Sequence, residues 1–294
     1  MAQFIMVRYN NKKYPQHIPC EISEEPGHFA KKRLSQKSRY SLHTEYSYEK
    51  RKEGFDSDLL DGLDEIKSAN KGGIAQLWKN QQWAKEFFAF ICNLLRDSID
   101  PEIIEIHPPF VDYCNSVGDF LDIYKTFEKS VLQKYVNTQI FLENRCGTRY
   151  GAKFLISNCN DVINLCEALS ERKFHLKLVL DYPQLMSSER IYSVNKSIDK
   201  IIDFNKAVKP YREYIGGIHL WGKKPTKNDR NLSHNGDLNT LFENNQHDKN
   251  LFLKSLQETF DDGNKRYMVL EVNSSEGDLH SIIDDLEKSH FVFV

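Results

Sequence analysis

His107, Glu143, Asp181, His219 and Glu271 each stand at or near the end of a short apolar run, in "EIIEIH", "TQIFLEN", "LKLVLD", "GGIHLW" and "YMVLEVN". All are residue types that bind divalent metals or move protons. One alone signifies little, because aspartate and histidine also close strands and form turns. Asp181 before Tyr182-Pro183 and His107 before Pro108-Pro109 fit that plainer role. Glu143 and Glu271 resist it, since a carboxylate that closes "IFLE" or "MVLE" is carried toward the interior and needs a compensating charge there. Histidines and carboxylates gathered in one cup would be balanced by a divalent cation. Such mixed donors suit Zn or Mn, with Mg, Co or Fe as further candidates, and one or two ions are expected.

The elements that would gather these residues are strands alternating with helices. From residue 100 onward, apolar runs at 102–107, 138–144, 176–181, 216–221 and 267–273 are near-continuous, as in strands buried on both faces of a parallel sheet. Between them, apolar residues spaced near 3.6 predict helices over 117–135, 158–172, 194–208, 249–260 and 277–288. Strands at 3–9 and 39–46 and a helix at 83–95 precede them. The pattern predicts a single (β/α)8 barrel domain over residues 1–294, irregular in its N-terminal quarter, with an open doubly wound sheet as the alternative. The eighth strand is expected from the terminal "FVFV" or from the poorly patterned first 75 residues. Residues 51–73 are polar and read as an excursion or a short helix. In a barrel all strands deliver their C-terminal ends to one mouth, where the active site lies.

Composition excludes several classes. With 28% charged residues and a formal net charge of -2, a general nucleic-acid coat is not expected, although a local basic patch is compatible. The six cysteines include no CxxC pair, which suits reduced thiols and a cytoplasmic location. The N-terminus lacks the pattern of a signal peptide, and no apolar run reaches the roughly 18 residues of a membrane span. Trp78 and Trp83 in "AQLWKNQQWAKEFF" sit at helical spacing and read as core before they read as a base-stacking surface.

The succession Glu, Asp, His, Glu carried by "FLENRCG", "LVLDYPQ", "GIHLWGK" and "VLEVNS" resembles the xylose isomerase-like barrel superfamily. That superfamily includes sugar isomerases and epimerases and metal-dependent apurinic endonucleases of the endonuclease IV type. The resemblance spans roughly residues 39 to 285. Its endonuclease branch places a histidine on each of two earlier strands, and "SLHTEY" and "EIHPPF" offer His43 and His107 there. The branch's Asp-Arg-His loop corresponds to Asp229, Arg230 and, after an insertion, His234. Two departures stand out: Gln184 replaces a histidine three residues after the aspartate, and the Asp-Arg-His triplet is interrupted. A third metal site is therefore not expected.

Two chemistries fit these residues. In a phosphodiesterase, Glu143 bridges two metals, with His43 and His107 on one and Asp181, His219 and Glu271 on the other, and His234 is a further candidate ligand. Lys223, Lys224, Lys227 and Arg230, with Gln184 and Asp229, then meet a phosphate-containing substrate such as DNA, and Arg145, Arg149 and Lys153 add positive charge on the loop after Glu143; solvated surface loops are the plainer alternative for both. In a sugar isomerase or epimerase, one ion held by Glu143, Asp181, His219 and Glu271 polarises the substrate, and Glu143 or Glu271 is the catalytic base. A barrel with a degenerate site that only binds is the third class. Oligomeric state is not legible.

Overall fold

The computed structural model describes residues 1–48, 50, 52–149, 151–191, 197–225 and 231–294. Eight parallel strands form the sheet: β1 (Gln3–Arg8), β2 (Ile22–Gly27), β3 (Tyr40–Thr44), β4 (Ile103–Ile106), β5 (Gln139–Glu143), β6 (Lys177–Asp181), β7 (Ile215–Leu220) and β8 (Lys265–Leu270). They pair in chain order, and β8 returns to β1 with Gln3 opposite Lys265 and Val7 opposite Val269. The closed sheet with its helices is a (β/α)8 barrel, as expected. Every residue of β4 and β7 is buried, which is why both read as unbroken apolar runs.

The eighth strand is β2, in the poorly patterned region, and the C-terminal segment supplies something else. Val292–Phe293 forms a short ninth strand alongside β1, with Val292 opposite Gln3. Strand β2 escapes hydrophobic patterning because its sequence is ISEEPG, with only its end residues buried. No helix lies between β1 and β2 or between β2 and β3, which is the expected irregularity of the first quarter. Residues 51–73 contain 3-10 turns and the short helix α1 (Asp64–Ser68), anchored by buried Leu59, Leu60 and Ile66.

The longer helices start where side chains can cap them. Asn80 accepts from Trp83 at the start of α2 (Gln81–Leu94), and Ser116 accepts from Asp119 at the start of α3 (Val117–Lys134). Then come α4 (Cys159–Arg172), α5 (Tyr182–Ser188), α6 (Asp199–Val208), α7 (Leu238–Leu241), α8 (Gln246–Phe260) and α9 (Glu276–Lys288), the last opened by a Ser275–Asp278 capping box. No helix among the described residues is long and apolar enough to cross a membrane.

The chain packs as two compact units. One comprises Met1–Ser23, Asn158–Ile163 and Val179–Val294, and the other Glu24–Ser157 and Asn164–Leu178. In the first, Phe4 packs edge-on against Phe260 at 6.4 Å and against Phe291 at 5.8 Å. Gly217 in β7 brings that strand close to its neighbour: a Cβ there would lie 3.1 Å from the Tyr267 carbonyl oxygen. In the second, Trp78 and Trp83 are buried with Phe87, Phe120 and Phe127, and Trp83 stacks on Phe87 at 4.7 Å. The tryptophans are core, so the base-stacking reading of them is withdrawn.

Arg266, at the N-terminal end of β8, is 2% exposed and pairs with Asp262 at 2.7 Å. It also donates to the carbonyls of Ile215 at 3.1 Å and Arg212 at 2.9 Å. The pair sits at the N-terminal end of its strand, away from the end where barrel chemistry is placed, and serves stability. Arg266→Ala is expected to cost about 3 kcal/mol of unfolding free energy in urea titrations while leaving metal binding unchanged.

Candidate functional site

In the second unit, β3, β4 and β5 present His43, Glu105, His107 and Glu143 to one point. All four are buried or nearly so, with one donor atom of each within 4.8 Å of the others. His43 Nε2 lies 3.0 Å from His107 Nε2, 3.5 Å from Glu143 Oε2 and 3.6 Å from Glu105 Oε1. His107 Nε2 lies 2.7 Å from Glu143 Oε2. The opposite ring nitrogens are anchored. His43 Nδ1 is 3.2 Å from the Glu24 carboxylate, and His107 Nδ1–H donates to the Glu45 carbonyl at 3.2 Å. An acceptor on Nδ1 that turns Nε2 inward is the arrangement that orients metal-binding histidines.

Protonation follows from these contacts. A carbonyl on Nδ1 makes neutral His107 a lone-pair donor at Nε2. Burial is the largest influence on it and pushes its pKa down to about 4, against the pull of Glu143. Burial also opposes charge on His43, but Glu24, Glu105 and the contact with Glu143 outweigh it and hold its pKa well above the ordinary value. Glu143 is 0% exposed, yet Arg145, His107 and His43 overcome the burial penalty and hold its pKa well below the carboxylate range. His43 as imidazolium thus directs one proton at a point faced by a lone pair of His107 and the anion of Glu143. A divalent cation meets the same donors with more charge, so the set fits a metal.

Arg145 belongs to this cluster. It is 8% exposed, its Nη1 lies 3.3 Å from Glu143 Oε1, and its guanidinium sits over the rings of Tyr46 at 5.0 Å and Tyr48 at 5.6 Å. Expected as a phosphate contact, it balances a carboxylate of its own chain in this structure. The backbone behind His107 is fixed too, because Trp78 Nε1 donates to the His107 carbonyl at 2.6 Å.

In the first unit, β7 and β8 bring His219 and Glu271 together, with Nδ1 3.5 Å from Oε1. His234 joins them, its Nδ1 3.2 Å from Glu271 Oε2 and its ring stacked on Trp221 at 4.4 Å. Its backbone is left-handed, with φ 59°, and its carbonyl accepts from Asn273 N at 2.6 Å. Asp181 is the N-cap of α5. Its Oδ1 accepts from the Gln184 backbone at 2.9 Å, and its Oδ2 accepts from the Gln184 side chain at 2.9 Å and Trp221 Nε1 at 3.0 Å. Gln184 is therefore a partner of Asp181.

Lys223 and Lys224 also have partners within the chain. Lys223 Nζ donates to Ser187 Oγ at 2.5 Å, and Lys224 Nζ binds Asp278 at 2.7 Å. Asp229, Arg230, Lys227 and the side chain of Arg149 lie outside the described residues. Sequence reading missed Glu24, Glu45, Glu105, Tyr46 and Trp221. Only Glu105 had a usable signal: in "EIIEIH" it stands two residues before His107, and alternate residues of a strand share a face.

No protein-family model matches the chain, and no curated protein matches its sequence. Similar solved structures include a D-tagatose 3-epimerase-like protein, 13% identical over 92% of this chain and 90% of that one, with a TM-score of 0.47. A D-allulose 3-epimerase from Methylomonas sp. is 11% identical over 86% and 78%, with a TM-score of 0.44. A Prevotella bryantii endo-beta-mannanase/endo-beta-glucanase is 10% identical over 85% and 41%, with a TM-score of 0.45.

The electrostatics of the second unit can be read directly. In metal-free protein, 15N spectra of the imidazoles should show His107 neutral and protonated on Nδ1 down to about pH 4. A raised pKa means that His43 keeps its proton as pH rises past 6.5. Loss of that proton at or below 6.5 would mean that burial outweighs the surrounding carboxylates.

Proposed function

We propose that this protein is a metal-dependent hydrolase of phosphoester bonds whose metal is held by His43, His107 and Glu143. The observation that carries the reading is the convergence of both Nε2 atoms on Glu143 Oε2, at 3.5 Å from His43 and 2.7 Å from His107, with both Nδ1 atoms anchored. The single-metal isomerase reading does not call for His43 or His107; the phosphodiesterase reading does. A divalent ion bound there would lower the pKa of water and stabilise negative charge developing on phosphate oxygens.

The chain's own residues have separate parts in this reading. Glu24 and the Glu45 carbonyl set the histidine orientations, and Arg145 keeps Glu143 ionised. In this reading His234, whose Nδ1 lies 3.2 Å from Glu271 Oε2, assists proton transfer with Glu271.

A second reading, sugar isomerisation or epimerisation, is favoured by a different observation. Arg145, Lys223 and Lys224 bind Glu143, Ser187 and Asp278 of their own chain, so these cations are already engaged where an anionic substrate would need them. A neutral polyhydroxylated substrate asks less of them. Glu143 or Glu271 would then move a proton between adjacent carbons.

Purified protein loaded with Mn2+ or Zn2+ should cleave an abasic-site duplex or bis-p-nitrophenyl phosphate, and chelation should abolish the cleavage. Glu143→Gln should lower the rate by about 100-fold or more. Full activity in that variant would sink the mechanism, and conversion of a ketose panel with phosphodiesters untouched would install the second reading. Glu24→Gln should weaken metal binding by about tenfold in calorimetry, because His43 loses its orienting carboxylate.

A further inference from the structure

Glu105 is the member of the cluster to which the hydrolase reading assigns no role. It lies on β4 two residues before His107, which directly follows the strand, and an extended backbone turns both side chains to one face. It is 3% exposed, and its Oε1 lies 3.6 Å from His43 Nε2. Its backbone is pinned on the same strand pair, its carbonyl accepting from Thr44 Oγ1 at 2.7 Å. Glu24, Glu105 and Glu143 all face His43, within 3.2, 3.6 and 3.5 Å. One donor atom from each of His43, Glu105, His107 and Glu143 lies within 4.8 Å of the others, so Glu105 stands where an ion held by the other three would meet it.

We propose that Glu105 is a fourth protein ligand, and that the resulting set of two imidazoles and two carboxylates favours an ion of five or six ligands, Mn2+ or Fe2+, over tetrahedral Zn2+. This rests on the reading of the cluster as a hydrolytic metal centre. Four protein donors fill a tetrahedral zinc and leave no position for water, as in structural zinc sites. An ion of higher coordination number holds the same four and keeps positions open. A second carboxylate also moves the donor set toward the harder ions.

The test is direct binding of Mn2+ and of Zn2+ to chelator-stripped full-length protein, by competition with a chromophoric chelator, in the wild type and in Glu105→Gln, Glu105→Asp and His107→Ala. Glu105→Gln should lose Mn2+ affinity by at least about tenfold and Zn2+ affinity by less. Glu105→Asp keeps the charge but withdraws the oxygens by one methylene, so a ligand role predicts lost Mn2+ affinity there too. Unchanged Mn2+ binding in Glu105→Gln, or in a folded Glu105→Asp, would overturn the ligand assignment while His107→Ala still reports on the centre itself. Equal loss of both metals would overturn the preference for Mn2+. A wild type that binds neither metal would overturn the hydrolase reading, and with it this proposal.

Discussion

The ionised carboxylate of Glu143, 0% exposed at the end of β5, is the constraint around which the second unit is organised. A carboxylate taken out of water costs several kcal/mol unless charge and hydrogen bonds replace its solvation. Here one oxygen faces the Arg145 guanidinium at 3.3 Å and the other faces His107 at 2.7 Å and His43 at 3.5 Å. Arg145 is only two residues along the chain, and a backbone bond from Arg145 N to Ile156 O at 3.0 Å holds the segment in place. Tyr46 and Tyr48 cover the guanidinium, which desolvates it and strengthens its pull on the carboxylate.

The same constraint accounts for the least regular strand. β2 reads ISEEPG and buries little of its length, which is a poor choice for a barrel strand on hydrophobic grounds. Its value lies in Glu24, whose carboxylate orients His43 at 3.2 Å. Local stability is given up to position a polar group, a trade that functional sites repeatedly show. Trp78 makes the complementary contribution from the core: a buried ring in an aromatic cluster reaches out through one N–H to fix the His107 carbonyl.

How much of this was legible in sequence depended on which signal each residue left. The strands from β4 onward declared themselves because both faces are buried, and the metal-capable residues at their ends followed from that. β2 left no such signal, since only its end residues are buried and its Glu24 serves the cluster. Glu105 was hidden by the habit of reading "EIIEIH" as one apolar run, although alternation places its side chain with His107. Tyr46 and Trp221 could not be anticipated, because their contacts with Arg145 and His234 depend on tertiary folding. In the basic loop a lysine in sequence shows its charge but not its partner, and Lys224 has Asp278.

Asp181 and Glu143 show how two carboxylates of the same sequence appearance part company once folded. Both end an apolar strand, and both are 0% exposed. Asp181 is met by neutral donors, the Gln184 backbone and amide and the Trp221 indole, and it starts a helix. Those dipoles satisfy a carboxylate without cancelling its charge. Glu143 is met by a guanidinium and two imidazoles, which do supply positive charge. In the Glu143 cluster a proton on His43 can be replaced by a metal with little rearrangement, because the ring nitrogens already point at the shared oxygen. At Asp181 a metal would join existing neutral donors, and Gln184 already takes one of the carboxylate's lone pairs with its side chain. The same strand-end position thus carries charged donors at Glu143 and neutral donors at Asp181, and each acid still offers an oxygen to a metal-capable group.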